Sequence, residues 1–278
     1  MECQVTPQCI KVDDGLLSAE DEQVMHFNFI YNQSEITCYD NAVVFTGGKQ
    51  HYTQLFADIA SAKETIYIEF YTIHHDMIGE ALVNALTERA KSGVTVYVMC
   101  DFIANLSTPR KMFRSLVEAG GKVLRLKPYL THYRSHRKIV VIDNYISYIG
   151  GMNIGKQHAN LADKKNPWRD TQVRLTGACS RILTNYFLTD WLCAVRKREC
   201  GSCLAEIRNK QKADHHTTQN FCQFIVGGVD NTRESSKMVY LSMIRSAKKR
   251  IRIQSPYFIP DASFCLQKKI QWGRPCRI

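Results

Sequence analysis

Between Thr65 and Leu126 the chain runs twice through one formula, and that repetition restricts it to one class of fold. TIYIEFYTI, residues 65 to 73, is rich in β-branched and aromatic side chains and predicts a strand. Ile78, Ala81, Leu82, Ala85, Leu86 and Ala90 then recur at helical spacing until Ser92 and Gly93 stop the helix, and VTVYVMCD continues as a buried strand. RKMFRSLVEAGGKVLRLKP supplies helix, Gly-Gly stop and strand again. Upstream, from His51, the side chains of Leu55, Phe56 and Ile59 share one helical face. Helices alternating with apolar strands of this length predict an α/β domain whose mixed or largely parallel β-sheet carries helices on both faces.

Four segments follow from this pattern. Residues 1–42 are polar, lack strong periodicity and read as irregular or weakly stranded. Residues 43–203 hold the α/β unit. Residues 204–221, a polar and charged stretch, read as a linker, and residues 222–278 read as a second, incomplete unit. The last reading rests on an internal repeat. SAKETIYIEFYTI from Ser61 matches SAKKRIRIQSPYFI from Ser246, with Ala62 on Ala247, Lys63 on Lys248, Ile66 on Ile251 and Ile68 on Ile253, at a constant offset of 185.

Charge points to an anionic partner. Lys and Arg number 37 against 26 Asp and Glu, a net +11, concentrated at 196–198, 248–250 and Lys268-Lys269. Nucleic-acid phosphates and acidic lipid headgroups attract such a surface equally, so charge alone does not choose between them. No stretch reaches the roughly 18 apolar residues of a bilayer span, and MECQVTPQCIKVDDG has neither the basic nor the apolar region of an export signal. No transmembrane helix is expected, and the 11 cysteines read as mostly reduced thiols. Cys200 and Cys203 form a CxxC followed by His215 and His216, but adjacent histidines do not have zinc-finger spacing, so no metal and no cofactor are expected.

The chemistry concentrates in THYRSHRKIVVIDNYISYIGGMNIG, residues 131 to 155. In a strand, His136 and Lys138 point to one face and Arg137 to the other. An ammonium beside an imidazole suits a phosphate: the cation stabilises phosphoryl oxygens while the neutral ring attacks phosphorus. Asp143, seven residues after His136, falls on the opposite face of an unbroken strand and is expected to support the site from there. Gly150 and Gly151 allow a tight turn and a close approach to a ligand, and Asn153 supplies an amide donor nearby.

Together His136, Lys138 and Asp143 with GGMN at 150 to 153 resemble the HxKxxxxD signature of the phospholipase D superfamily. The wider match, through YRSHRKIVVID, WRDTQVRLTG, FLTDW and SPYFIPD, resembles the bacterial cardiolipin synthases and covers roughly residues 43 to 264. The resemblance implies a phospholipase D-like fold with one complete repeat and the beginning of a second. It also implies a catalytic set of His136, Lys138 and Asp143, with Lys138 and Asn153 holding the phosphoryl oxygens. The activity implied is phosphatidyl transfer between two phosphatidylglycerol molecules through a phosphatidyl-histidine, at the cytoplasmic side of an anionic membrane, without metal. Asp170, in WRD, is the candidate carboxylate to bond the second ring nitrogen of His136; the other reading is a surface ion pair with Arg169 or Arg174.

The sequence departs from the family in one respect. Members carry two motifs, and the second histidine serves as proton donor and acceptor. At the offset of 185, its counterpart would fall near 136 + 185 = 321, past Ile278, and CLQKKIQWGRPCRI lacks the helical pattern of residues 78 to 90. The expectation is a truncated chain or fragment whose activity is impaired or depends on a homodimer. Two other readings stand beside it: a single-motif dimeric phosphodiesterase acting on lipid or, less favoured by the lipid-type motifs, on nucleic acid; and a non-catalytic fragment that binds a membrane surface.

Overall fold

A computed structural model describes residues 17–127, 134–161, 168–196, 220–227, 234–255 and 259–265. These fall into two compact units, one within Cys38–Cys222 and one that joins the residues up to Thr37 with those from Gln223 onward.

The larger unit is built on a seven-stranded mixed sheet. Its strands are β2 (Asn41–Phe45), β3 (Thr65–Phe70), β4 (Thr95–Asp101), β5 (Lys122–Leu126), β6 (Lys138–Ile142), β7 (Ile146–Gly150) and β8 (Gln172–Thr176), in the order β2-β8-β7-β6-β3-β4-β5. β3, β4 and β5 run parallel, joined by helical crossovers, whereas β6, β7, β8 and β2 each run antiparallel to a neighbour. Two-residue strands β1 (Thr37–Cys38) and β9 (Phe221–Cys222) pair separately.

Period-2 alternation sorts the strand side chains between two helical layers. Ile66, Ile68 and Phe70 of β3, with Val96, Val98, Val140 and Ile142, face α2 (Gly48–Ser61), α3 (Met77–Lys91) and α4 (Arg114–Glu118), meeting Leu55, Ile59, Leu82, Leu86 and Leu116 in one core. The alternate residues face α5 (Cys179–Arg196): the ring of Tyr67 lies 5.2 Å from Phe187, and Tyr97 stacks on Trp191 at 4.8 Å. Helices therefore cover both faces, as the alternating pattern predicts. Asp76 caps α3 by accepting from the N–H groups of Ile78 and Gly79. A buried triad ties α2 to the sheet: Asp58 accepts from Arg174 Nε at 2.6 Å and from the hydroxyl of Tyr148. This corrects one alternative for Arg174, which pairs with Asp58 and not with Asp170.

The smaller unit corrects the reading of the opening segment. Residues Ala19–Asn32 form a helix, α1, which packs against α6 (Ser235–Ser246). Its start was legible as Ser18 followed three residues later by Asp21: the Ser18 hydroxyl accepts from the Asp21 N–H at 3.1 Å, and Glu20, Asp21 and Glu22 favour the positive end of the helix dipole. Leu241 and Ile244 of α6 and Phe264 of α7 (Ala262–Cys265) form a small core.

The repeat is visible in three dimensions. α2 ends at Ser61 and α6 at Ser246; Ala62 (φ −58, ψ 138) and Ala247 (φ −59, ψ 128) close them in the same conformation. The Ser61 hydroxyl donates to the carbonyl of Asp58 and that of Ser246 to Met243, again 185 apart. After Ala62 the chain enters β3, but residues 251–255 form no strand. β3 has β4 and β6 on either side, and no described strand pairs with 251–255. Most of the expected linker, Cys200, Cys203, His215 and His216 lie outside the described residues.

Candidate active site

One edge of the sheet gathers the residues of interest. β3 and β4 end there, at Phe70 and Asp101; β6, antiparallel to β3, begins there with Lys138 opposite Phe70; β7 ends there at Gly150, opposite Gln172 at the start of β8. The carboxyl ends of parallel strands are where α/β sheets most readily open a crevice.

His136 lies just outside β6 and is exposed, whereas Lys138, its first residue, is 3% exposed. Lys138 Nζ stands 2.9 Å from His136 Nδ1 and 3.4 Å from Nε2, and donates to the carbonyl oxygen of His136 at 2.7 Å. Burial lowers the Lys138 ammonium to about 8, partly opposed by the charge of Asp170. Burial and the cations of Lys138 and Arg134 hold His136 below the ordinary histidine value. A neutral imidazole therefore sits against a cation at neutral pH, the protonation states that attack on an anionic phosphorus requires. Between them in sequence, Arg137 points to the other face and pairs with Asp190 of α5. There, too, Ser135 donates at 2.6 Å to the buried carboxylate of Glu69, whose pKa burial raises.

Asn153 lies in the loop that follows β7, tied to the loop that follows β3. Its amide oxygen accepts from the Thr72 N–H at 3.2 Å, which leaves the NH2 as the end available to an anion, and its carbonyl accepts from the Tyr52 hydroxyl. The loop after β3 and the GGMN loop are laced together by Ile154 N–H to Thr72 and His74 N–H to Ile154. Neither Gly150 nor Gly151 has positive φ, although the chain bends at Gly151. They are needed for close approach to β8. A Cβ on Gly150 would meet the Thr171 carbonyl oxygen at 2.4 Å, and one on Gly151 would meet Asp170 Oδ1 at 2.1 Å.

Asp170 departs from both roles anticipated for it. Its carboxylate accepts from the Thr171 N–H at 2.7 Å and from the Trp168 indole at 3.4 Å, not from His136. It lies just before β8, where a carboxylate is drawn to the free N–H of the next residue. Asp143 sits at the far end of β6 from Lys138, in the positive-φ turn to β7. Its two oxygens accept from the backbone N–H groups of Lys63, Glu64 and Thr65 at 2.8 to 2.9 Å, fixing the entry to β3. The set His136, Lys138 and Asp143 is thus divided: two residues face each other and the third secures the strands that carry them.

Three neighbours of His136 went unread in the sequence. Tyr71, which follows β3, places its ring 4.5 Å from the imidazole, with Arg134 over it at 4.8 Å and Lys138 at 5.4 Å. Asp101, the last residue of β4, holds Arg134. The signal was present in the polar residue ending VTVYVMCD and the aromatic ending IYIEFY, but only the parallel pairing of β3 and β4 puts the two side by side. Apart from these three, His158, which feels the charge of Lys138, is buried, packs edge-on to Trp168 at 5.2 Å, and burial holds it neutral with a pKa of about 4. Among the described residues no group of three or more His, Cys, Asp or Glu is placed to hold a metal, and no helix is long and apolar enough to cross a membrane.

Residues 55–191 match the family model described as "Cardiolipin synthase, PLD-like domain". The chain is 33% identical over 266 residues to the major cardiolipin synthase ClsA of Bacillus subtilis, covering 87% of this chain and 51% of that protein. It is 35% identical over 260 residues to a cardiolipin synthase of Listeria welshimeri, covering 88% and 52%. The chain spans about half the length of these curated relatives. In fold it is similar to the crystal structure of phosphatidylserine synthase from Haemophilus influenzae, with a TM-score of 0.55 at 15% identity, covering 82% of this chain and 58% of that one.

Proposed function

We propose, for a chain that belongs to the phospholipase D superfamily and to its cardiolipin synthase branch, the phosphoryl-transfer half-site of a phosphatidyltransferase that makes cardiolipin and glycerol from two molecules of phosphatidylglycerol. The observation that carries the reading is the neutral imidazole of His136 held 2.9 Å from the buried ammonium of Lys138.

In the free site Lys138 covers a lone pair of His136. An arriving phosphodiester draws the ammonium onto its oxygens, together with the NH2 of Asn153, and frees the ring to attack. A nitrogen–phosphorus bond forms, the bond to the glycerol oxygen breaks, and that oxygen takes a proton as glycerol leaves. The hydroxyl of a second phosphatidylglycerol then attacks the phosphorus, its proton returns to the donor of the first step, and His136 is regenerated. The net reaction is a transfer with no oxidant, no water and no metal consumed. The donor belongs to a second half-site. A homodimer, pairing two copies across a two-fold axis, is one way to supply it. Asp143 acts as a positioning residue. The substrate places the reaction at an anionic membrane surface on its cytoplasmic side, to which the net charge of +11 is suited.

The test is incubation with labelled phosphatidylglycerol in mixed micelles, with lipid products resolved. Labelled cardiolipin that disappears in His136→Ala supports the reading. Cardiolipin formed equally by His136→Ala refutes it, and phosphatidic acid alone would replace transfer with hydrolysis.

A further inference from the structure

We infer that Arg134 is a second phosphate-binding cation of this site, one that takes the phosphodiester of the acceptor lipid and not the phosphorus that His136 attacks. The inference rests on the phosphatidyl-transfer reading above.

Arg134 is held too firmly for an ordinary surface charge. Its Nη2 donates to Asp101 Oδ1 at 2.6 Å and its Nε reaches both carboxylate oxygens at 3.2 and 3.3 Å. Asp101 is 1% exposed and also accepts from the Ala104 N–H at 2.6 Å. The fully buried Asn105 fixes the surrounding backbone: it donates to the carbonyls of Tyr71 and Asp101 and accepts from the Ile73 N–H. The guanidinium is then laid on the ring of Tyr71, the ring that also meets His136. Such a fork loses little freedom on binding an oxyanion.

The pair with Asp101 uses Nε and Nη2, and among the described residues Nη1 has no hydrogen-bond partner. The side chain remains 26% exposed. Arg134 and Lys138 together place two cations against one imidazole, with Asp101 beside Arg134 and the charge of Asp170 acting on Lys138 as partial compensation. Like charges gathered this way are unfavourable in the free protein and favourable when two anionic groups occupy the site. Transfer between two phosphatidylglycerols brings two. The acceptor hydroxyl and the acceptor phosphate are the two ends of one glycerol, so a hydroxyl aligned on the phosphorus at His136 leaves its own phosphate one glycerol length away. Lys138 and Asn153 are occupied by the attacked group, and Arg134 is the remaining cation on the Tyr71 ring. Water lacks this handle, so Arg134 favours transfer over hydrolysis.

The experiment follows the His136 ring resonances of the full chain by NMR while titrating two water-soluble headgroups, glycerophosphoglycerol with one diester and bis(glycerophospho)glycerol with two. Wild type should bind the two-diester headgroup about tenfold more tightly, the low end for charge-assisted bonds at a partly exposed site. Arg134→Gln should abolish that preference while changing the one-diester affinity less than about threefold. Asp101→Asn, which releases the guanidinium without removing it, should reduce the preference. Lys122→Gln, which removes a cation at the opposite end of β5, should leave it intact. A preference that persists in Arg134→Gln overturns the inference, as does an equal loss for both headgroups or a preference that falls as far in Lys122→Gln. If neither headgroup moves the His136 resonances in wild type, the phosphate-site reading itself fails.

Discussion

Lys138 Nζ stands 2.9 Å from Nδ1 of His136 and 2.7 Å from the carbonyl oxygen of the same residue, so one ammonium secures both the ring and the backbone that carries it. Lys138→Met keeps the length of the side chain and removes the charge. The ring then loses the nearer of the two cations that lower it, and its pKa should rise, read directly from the pH dependence of the His136 NMR signals. Turnover should fall by roughly a hundred- to a thousandfold, the usual cost of removing one oxyanion contact. An unmoved His136 pKa would show that Lys138 does not sit on the ring in solution.

Asp143 should behave differently although it belongs to the same signature. Its carboxylate takes three backbone N–H groups where α2 hands over to β3, so Asp143→Ala leaves those donors without an acceptor. Destabilisation of about 2 kcal/mol is expected, within the range for unsatisfied donors at a partly exposed site. The His136 titration should stay where it is. Urea unfolding and the His136 signals measured on the same sample separate this supporting role from a catalytic one, which would move the titration and spare the stability.

These two residues also mark how far the sequence could be read. His136 and Lys138 were legible because a strand's period is local: residues two apart share a face whatever the rest of the chain does. Helix and strand order was legible for the same reason, and the repeat between Ser61 and Ser246 survives even in the bonds that end the two helices. Asp170 was not legible, because the hydrogen bond of a carboxylate outside regular structure is decided by the nearest free N–H, here that of Thr171. Tyr71, Asp101 and Arg134 come from three separate segments and meet only because β3, β4 and β6 are neighbours in the sheet. Residues 251–255, which the repeat sets against β3, form no strand and pair with no described strand: a sequence can favour extension, but without a pairing neighbour it does not make a strand.

Gly150 and Gly151 give a prediction in which adjacent glycines differ. The Cβ of Gly150→Ala would meet backbone, the Thr171 carbonyl at 2.4 Å and Gln172 Cα at 2.7 Å, so β7 and β8 must move apart. The Cβ of Gly151→Ala would meet the carboxylate of Asp170, a side chain that can rotate. Gly150→Ala should cost about 3 kcal/mol and Gly151→Ala about 1 kcal/mol, bracketing the usual range for overpacking. Displacing Asp170 in Gly151→Ala also moves the negative charge that supports Lys138, so its ammonium should titrate lower than in wild type. Denaturant midpoints of the two variants, with lysine titration followed by NMR, check both statements; equal midpoints would contradict the packing described.

Acid should weaken the larger unit through two buried histidines. His51 is fully buried among Phe45, Tyr52 and Tyr148, both of its ring nitrogens lack hydrogen-bond partners among the described residues, and burial, with His158 nearby, lowers it to about 4. His158 is lowered to about 4 chiefly by burial, with the charges of His74 and Lys138 adding to it and those of Asp170 and Asp76 opposing. In the unfolded chain both take a proton near 6.5, whereas the folded chain refuses it until about 4. Unfolding therefore binds protons in that window, and the stability that neutral imidazoles contribute is complete above pH 6.5 and is lost as pH falls towards 4. For His51 the loss is up to about 3 kcal/mol. His51→Leu should flatten the decline, so urea midpoints at pH 7.5 and 4.5 should differ less in the variant than in wild type. A decline of the same size in both would assign the acid sensitivity to carboxylates and not to His51.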